Sequence, residues 1–238
     1  MLPAGNTAMR MSAGLSGSIN AEWAQTHSSR DAGTWQQKSG KQHNHRNKVI
    51  NIAKETEMNA ETREFRDGIF ALRTRRFGTV AELMIEALFR FHKSMNQFHD
   101  RYDAVENKRI EIKFSTVMKK NDARITRENL VEQCLNANVA NRALNSTDIY
   151  KYPFDCNIQQ VKRAEFDVLY YGLFFADRIA IFRMTSDEVL SCPGYSDFQH
   201  KGNEGEGQFH LNQKTIGWHL ENKFVQWLTY GELYELFS

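Results

Sequence analysis

The run Asp103-Ala104-Val105-Glu106-Asn107-Lys108-Arg109-Ile110-Glu111-Ile112-Lys113-Phe114 predicts a β-hairpin. Ile110, Ile112 and Phe114 alternate with Arg109, Glu111 and Lys113, the two-residue period of a strand with one buried face. Glu106-Asn107-Lys108 has the composition of a tight turn, Asn being suited to positive φ. A three-residue loop centred on Asn107 sets Asp103 directly opposite Glu111, with Lys113 on the same face two residues along. Like charges facing each other across a ladder repel. A divalent cation between them turns that repulsion into a pair of ligands, so the hairpin points to metal-dependent hydrolysis.

Outward from the hairpin, Thr79 to Met95 repeats apolar residues at helical spacing: Val80, Leu83, Met84, Ala87, Leu88, Phe91 and Met95. The narrow polar stripe of this helix carries Glu82, Glu86, Arg90 and Lys93. Two readings of it stand: surface pairs between the glutamates and the two cations, or glutamates looking into an active site. Gln97 to Val105 is expected as the first strand of the hairpin and Arg109 to Thr116 as the second. A helix is expected from Thr126, its N-cap, to Leu144, with Leu130, Val131, Cys134, Leu135 and Leu144 in the core. Asn157 to Lys162 suggests a short strand. Phe166 to Phe175 is nearly continuous apolar sequence, as in a strand covered on both faces, and Ile179 to Met184 follows as a second buried strand. Ser186-Asp187-Glu188 opens a short helix. Glycines at 194, 202, 205 and 207 give residues 194–208 the composition of a loop. One or two short strands are expected through Trp218 and Trp227, and Thr229 with Glu232 forms a capping box before a final helix. The order of elements predicts an α/β protein of mixed sheet type, with a central mixed sheet flanked by helices.

Composition narrows the class. The 238 residues suffice for one core with appendages, and a formal net charge of +2 leaves any polyanion binding to local clusters. No stretch approaches the roughly 20 apolar residues of a membrane span, and residues 1–18 lack the apolar centre of a signal peptide. Cys134, Cys156 and Cys192 are odd in number and form no CxxC pair, which points to a reducing cytoplasm rather than to disulfides or a cysteine zinc site. Residues 1–47 are polar, rich in Gly, Ser, Asn and Gln, and end in a basic group; they are expected to form a weakly ordered arm ahead of one domain over 48–238. His92, His99, His200, His210 and His219 show no metal-ligand spacing.

Hard cations such as Mg²⁺ take oxygen ligands and are commonly held by one or two carboxylates with substrate phosphate and water. Asp103 and Glu111, with the carbonyl of Ile112, have that chemistry, and Lys113 would stand beside the attacking water. Glu106-Asn107-Lys108 and Glu221-Asn222-Lys223 repeat the Glu-x-Lys pattern, but neither sits in an apolar alternation.

The helix with Glu82, the strand with Asp103 and the strand with Glu111-Ile112-Lys113 together resemble the PD-(D/E)XK nuclease superfamily, and within it the type II restriction endonucleases. The resemblance covers residues 76–185, with Tyr102 standing where the motif's name has Pro; Glu86 competes with Glu82 and Asp100 with Asp103. It implies a restriction-endonuclease-like core in which Asp103 and Glu111 bind Mg²⁺, Lys113 positions or activates water and Glu82 is an accessory carboxylate. The implied activity is sequence-specific cleavage of double-stranded DNA by a homodimer, two-fold symmetry matching a palindromic site. A repair or recombination nuclease would share the same site; a non-catalytic DNA-binding module is the competing class. Phosphate contacts are expected from Lys38, Lys41, Arg46, Lys48, Arg73, Arg75, Arg76, Lys119 and Lys120. Base readout is expected from Gln159 and Gln160 with Lys162, and from the loop bearing Lys201 and Asn203.

Overall fold

The computed structural model describes residues 58–198 and 204–238, which belong to one compact unit, Glu55–Ser238. The polar arm expected over residues 1–47 lies outside the described residues.

Helix α1 (Ala60–Ala71) opens on Asn59, whose side chain accepts from the Thr62 N–H, satisfying a donor the helix itself leaves unpaired. Helix α2 (Thr74–Phe89) buries Phe77, Ala81, Met84 and Ile85 along one stripe; of the apolar set read in the sequence, Leu83 and Met95 are exposed, so the helix is present but its buried face is turned from the one expected. It ends at Phe89 rather than at Met95. Arg90 takes a left-handed conformation at φ 59, which closes the helix and turns the chain into the sheet.

Six strands form the central sheet: β1 (His92–Lys93), β2 (Arg101–Asp103), β3 (Lys108–Thr116), β5 (Val168–Phe174), β6 (Arg178–Thr185) and β9 (Phe224–Thr229). They lie in the order β1-β2-β3-β5-β6-β9. The β3/β5 pair is parallel and every other neighbour antiparallel, so the sheet is mixed. One face packs on α1, α2 and α6 (Tyr230–Glu235), joining Ile110, Ile112 and Val168 to Ile69, Met84, Ile85 and Leu233. The other face, through Leu169, Tyr171, Leu173 and Phe182, packs on a three-stranded sheet of β4 (Asp155–Val161), β8 (Glu204–Asn212) and β7 (Ser196–Phe198). Every residue of β5 is buried, as its unbroken apolar sequence predicts. Gly172 on that strand is required by space: a Cβ there would sit 2.1 Å from the Ala180 carbonyl oxygen and 2.4 Å from the Phe114 ring.

Further sequence expectations are corrected, the strand expected over Gln97–Val105 being confined to Arg101–Asp103. The helix expected over Thr126–Leu144 is broken into α3 (Leu130–Asn136) and α4 (Val139–Arg142), because Asn138 adopts an extended conformation and caps α4 through its side chain. Leu130, Val131 and Leu135 are exposed, and Leu144 alone of the expected core positions is buried. The glycine-rich stretch read as a loop contains β7 and most of β8, and a Cβ at Gly207 would strike the Tyr195 ring, so this glycine serves close packing in a strand. Trp218 lies in helix α5 (Ile216–Asn222), not in a strand. The capping box at Thr229 and Glu232 is present as read.

Candidate active site at the edge of the central sheet

The β2/β3 register pairs Arg101 with Ile110, Tyr102 with Arg109 and Asp103 with Lys108. The connecting loop is therefore Ala104–Asn107, closed by Asn107 at φ 56. Asp103 does not face Glu111. Its Oδ1 accepts from the N–H groups of Val105 (2.9 Å) and Glu106 (3.1 Å), so the side chain is spent on stabilising the turn. The four-residue loop is longer than the three residues read from the sequence, and that shift removes Asp103 from the site.

Asp100 comes to Glu111 and Lys113 instead. Its N–H donates to the Ile110 carbonyl at 3.1 Å, although Ile110 is already paired with Arg101. Two consecutive residues thus address one across the ladder, the arrangement of a β-bulge, which re-aims a side chain. The Asp100 Oδ2 atom then accepts from the Ile112 N–H at 2.9 Å and lies 4.0 Å from Lys113 Nζ. Lys113 Nζ donates to Glu111 Oε1. Alternation puts Ile110 and Ile112 into the helix-side core and Glu111 and Lys113 on the opposite face. Ile112 directs its N–H toward Asp100, and N–H and C=O of one strand residue point to the same side, so its carbonyl opens on the same edge.

Electrostatics mark the cluster. Burial pushes the Glu111 carboxyl up to about 7, with Asp100 and Glu165 adding to the rise and Lys113 opposing it. Burial works against the Lys113 ammonium, but Glu111, Asp100 and Glu82 outweigh it and hold its pKa above the usual lysine range. Glu82 on α2 is also raised, first by burial and then by Asp100, with Arg101 and Lys113 pulling the other way.

Arg101 joins the helix to this strand edge, and Glu82 and Glu86 pair with it rather than with Arg90 and Lys93. Arg101 is 6% exposed, and its guanidinium donates from Nη1 to Glu82 Oε2 (3.1 Å) and to the Asp100 carbonyl (2.8 Å), while Nε lies 2.5 Å from Glu86 Oε2. The glutamates therefore pair inward with Arg101, and Glu82 stands close enough to feel both Asp100 and Lys113. Nothing in the sequence singled out Arg101. Asp100 was visible only as a competitor, since Gln97 to Arg101 shows no alternation from which a register follows.

The expected polyanion contacts are scattered more widely. Arg73, Arg75 and Arg76 are exposed at the start of α2. Lys119 and Lys120 follow β3, Lys120 pairing with Asp122 at 3.0 Å. Gln159 and Gln160 are exposed on β4, where Gln160 takes φ 56 at the register shift. Lys162 Nζ lies 3.7 Å from Glu165 and 3.6 Å from Glu206, so it faces carboxylates. Lys38, Lys41, Arg46, Lys48, Lys201 and Asn203, with His200, lie outside the described residues. His99 and His219 are buried, the latter accepting or donating at Nδ1 with the Tyr171 hydroxyl at 2.8 Å.

The donor set fits a hard cation: carboxylate oxygens of Asp100 and Glu111 with a neighbouring carbonyl, and more negative charge than Lys113 offsets. Among the described residues no group of three His, Cys, Asp or Glu side chains is poised to hold a metal ion. This assignment rests on the site's own chemistry, because no family model, curated protein or solved structure matches the chain.

Proposed function

We propose that this chain is a Mg²⁺-dependent endonuclease of double-stranded DNA with a restriction-endonuclease-like core, acting in the cytoplasm as a homodimer at a short palindromic sequence. The observation that carries it is the meeting of Asp100, Glu111 and Lys113 at one sheet edge, with buried Glu111 pushed up to about 7. The chain order of the helix bearing Glu82, the strand edge with Asp100 and the strand with Glu111-Ile112-Lys113 keeps the resemblance once Asp100 replaces Asp103.

Asp100 and Glu111 supply carboxylate oxygens to the ion, and the Ile112 carbonyl lies on the same edge. A bound Mg²⁺ lowers the pKa of a coordinated water and neutralises charge on the phosphoryl oxygens. Lys113, held as a cation by its three carboxylate neighbours, donates to the attacking water or to a phosphate oxygen and fixes its position. Arg101 ties Glu82 of α2 to the strand edge and anchors the Asp100 backbone, so the carboxylates are set before substrate arrives.

The test is incubation of plasmid with the full chain in Mg²⁺, Ca²⁺ or EDTA, followed by sequencing of the ends. Discrete fragments in Mg²⁺ that vanish in Lys113→Ala are expected. Binding without scission under any divalent ion would overturn the enzyme in favour of a DNA-binding module. Cutting at junctions or lesions instead of one short sequence would transfer the same chemistry to repair.

A further inference from the structure

The extended backbone of β3 runs on past Thr116. Val117 N–H donates to the Phe174 carbonyl at 2.9 Å, Leu144 N–H to Val117 at 3.0 Å and Lys119 N–H to Arg142 at 2.8 Å, with Met118 bridged to Ala143. Lys120 N–H donates to the Pro153 carbonyl at 2.7 Å. Lys119 and Lys120 are thus fixed by backbone bonds to two separate segments, and the end of α4 brings Arg142 beside them. An open cleft of about 330 Å³ lies there, lined by Lys119, Lys120, Arg142, Asn121, Asp122 and Asp155.

Charge in the cleft is unevenly committed. Asp155 is engaged by His210 Nδ1 at 2.9 Å and Asp122 by Lys120 Nζ at 3.0 Å. Lys119 Nζ donates to the Asn141 carbonyl at 3.1 Å and sits 4.8 Å from the Tyr152 ring centroid, leaving two of its three donors for another acceptor. The exposed Arg142 guanidinium has no ion pair among the described residues. A planar fork beside a lysine matches a tetrahedral dianionic or monoanionic oxygen cluster.

We propose that this cleft binds a backbone phosphate of the DNA, away from the bond that is cut. The choice of DNA as ligand rests on the endonuclease reading. Lys119 lies six residues along the extended chain from Lys113, about 20 Å at 3.3 Å per residue. A duplex over the carboxylates therefore reaches the cleft within one helical turn of about 34 Å. Lys119 and Arg142 hold the phosphate, and Asp122 competes with it for Lys120.

The experiment measures binding of a fluorescent duplex by the full chain in Ca²⁺, from 50 to 200 mM salt. Each phosphate contact contributes about 0.9 to the slope of log affinity against log salt. The double variant Lys119→Ala/Arg142→Ala is expected to bind about tenfold more weakly at low salt, with a slope shallower by about one to two. Asp122→Asn is expected to bind about threefold more tightly, with a steeper slope, because Lys120 is released; it keeps the test valid should the double variant fail to fold. Unchanged slopes in a protein that cuts DNA would overturn the cleft and spare the endonuclease. Shifted slopes in a protein that binds but never cuts would support the cleft and overturn the endonuclease. No duplex binding by the unaltered chain would overturn both.

Discussion

Two acid–base pairs stand on the same face of β3, Arg109 with Asp167 and Lys113 with Glu111, and they are built in opposite ways. Asp167 accepts from the Arg109 backbone N–H at 2.8 Å, from Nε at 3.2 Å and from Nη2 at 2.9 Å. These hydrogen bonds from the Arg109 side chain, ahead of burial and with the backbone bond, hold its carboxyl below the usual range. Glu111 is more deeply buried, receives its bond from one lysine and has Asp100 and Glu165 near it, and its carboxyl is pushed up. The first pair has donors to match its acceptors and ties the start of β3 to β5. The second has more carboxylate than cation, so the fold is stabilised less by that charge than it would be by a neutral side chain. Such a cluster is what the proposed metal site requires and what folding alone disfavours.

The largest effect that would break this contrast is on cleavage. Asp100→Asn and Glu111→Gln are each expected to lower the rate of DNA cleavage about a thousandfold, the scale of a lost electrostatic contribution in a buried site. Steady-state rates on a plasmid substrate read it. Either variant cutting at the unaltered rate would place the chemistry elsewhere.

Next comes stability without metal. Glu111→Gln removes a buried carboxylate whose ionisation the fold resists, and with it the main anion beside the Lys113 ammonium, so at pH 8 in EDTA the variant is expected to be more stable by about 1 kcal/mol. That corresponds to a melting temperature higher by about 2–4 °C for a domain of this size. A loss of activity joined to a gain of stability is the signature of a functional charge; a loss of both would make the pair an ordinary structural one. Asp167→Asn should do the reverse. A depressed carboxyl contributes stability above its unfolded pKa of about 3.9 and loses it as pH falls through the lower folded value. The variant is expected to lose about 1 kcal/mol at pH 7, discounted for partial exposure, and to show a flatter decline of stability below pH 4 in a denaturation series.

The parts of the fold legible in the sequence are those in which one local signal suffices. The α2 stripe, the alternation of Ile110, Ile112 and Phe114, the apolar run of β5 and the Thr229–Glu232 box each specify their element through burial or a cap. Register was not legible, because it depends on loop length and on a bulge at Asp100, where His99, Asp100 and Arg101 offer no alternation. The break between α3 and α4 turns on Asn138 choosing a cap over a helical turn, a competition that periodicity does not record. Gly207 misled because its role is contact with Tyr195, a partner twelve residues away in sequence and visible only after folding. Strand context singles out Glu111 and Lys113 in the sequence; the bonds of Arg101 to Glu82 and to the Asp100 carbonyl beside them are visible only in three dimensions.

The smallest expected effect is the sharpest test of register. Asp103 caps the loop through Val105 and Glu106 and touches neither Glu111 nor Lys113 by any bond in the structure. Asp103→Ala removes the one side-chain oxygen that accepts two backbone hydrogen bonds at an exposed turn, which costs about 0.5–1 kcal/mol, while DNA cleavage stays within twofold of the unaltered chain. Asp103→Asn retains an oxygen at the same position and should recover most of the loss. Because Asp100 and Asp103 lie three residues apart on one short segment, general damage to the hairpin would injure both variants alike. A pair of melting curves and a pair of cleavage rates separate them: stability without activity moves at Asp103, activity moves at Asp100. If cleavage vanished in Asp103→Ala and survived in Asp100→Asn, the four-residue loop would be wrong, and with it the geometry from which the metal site is argued.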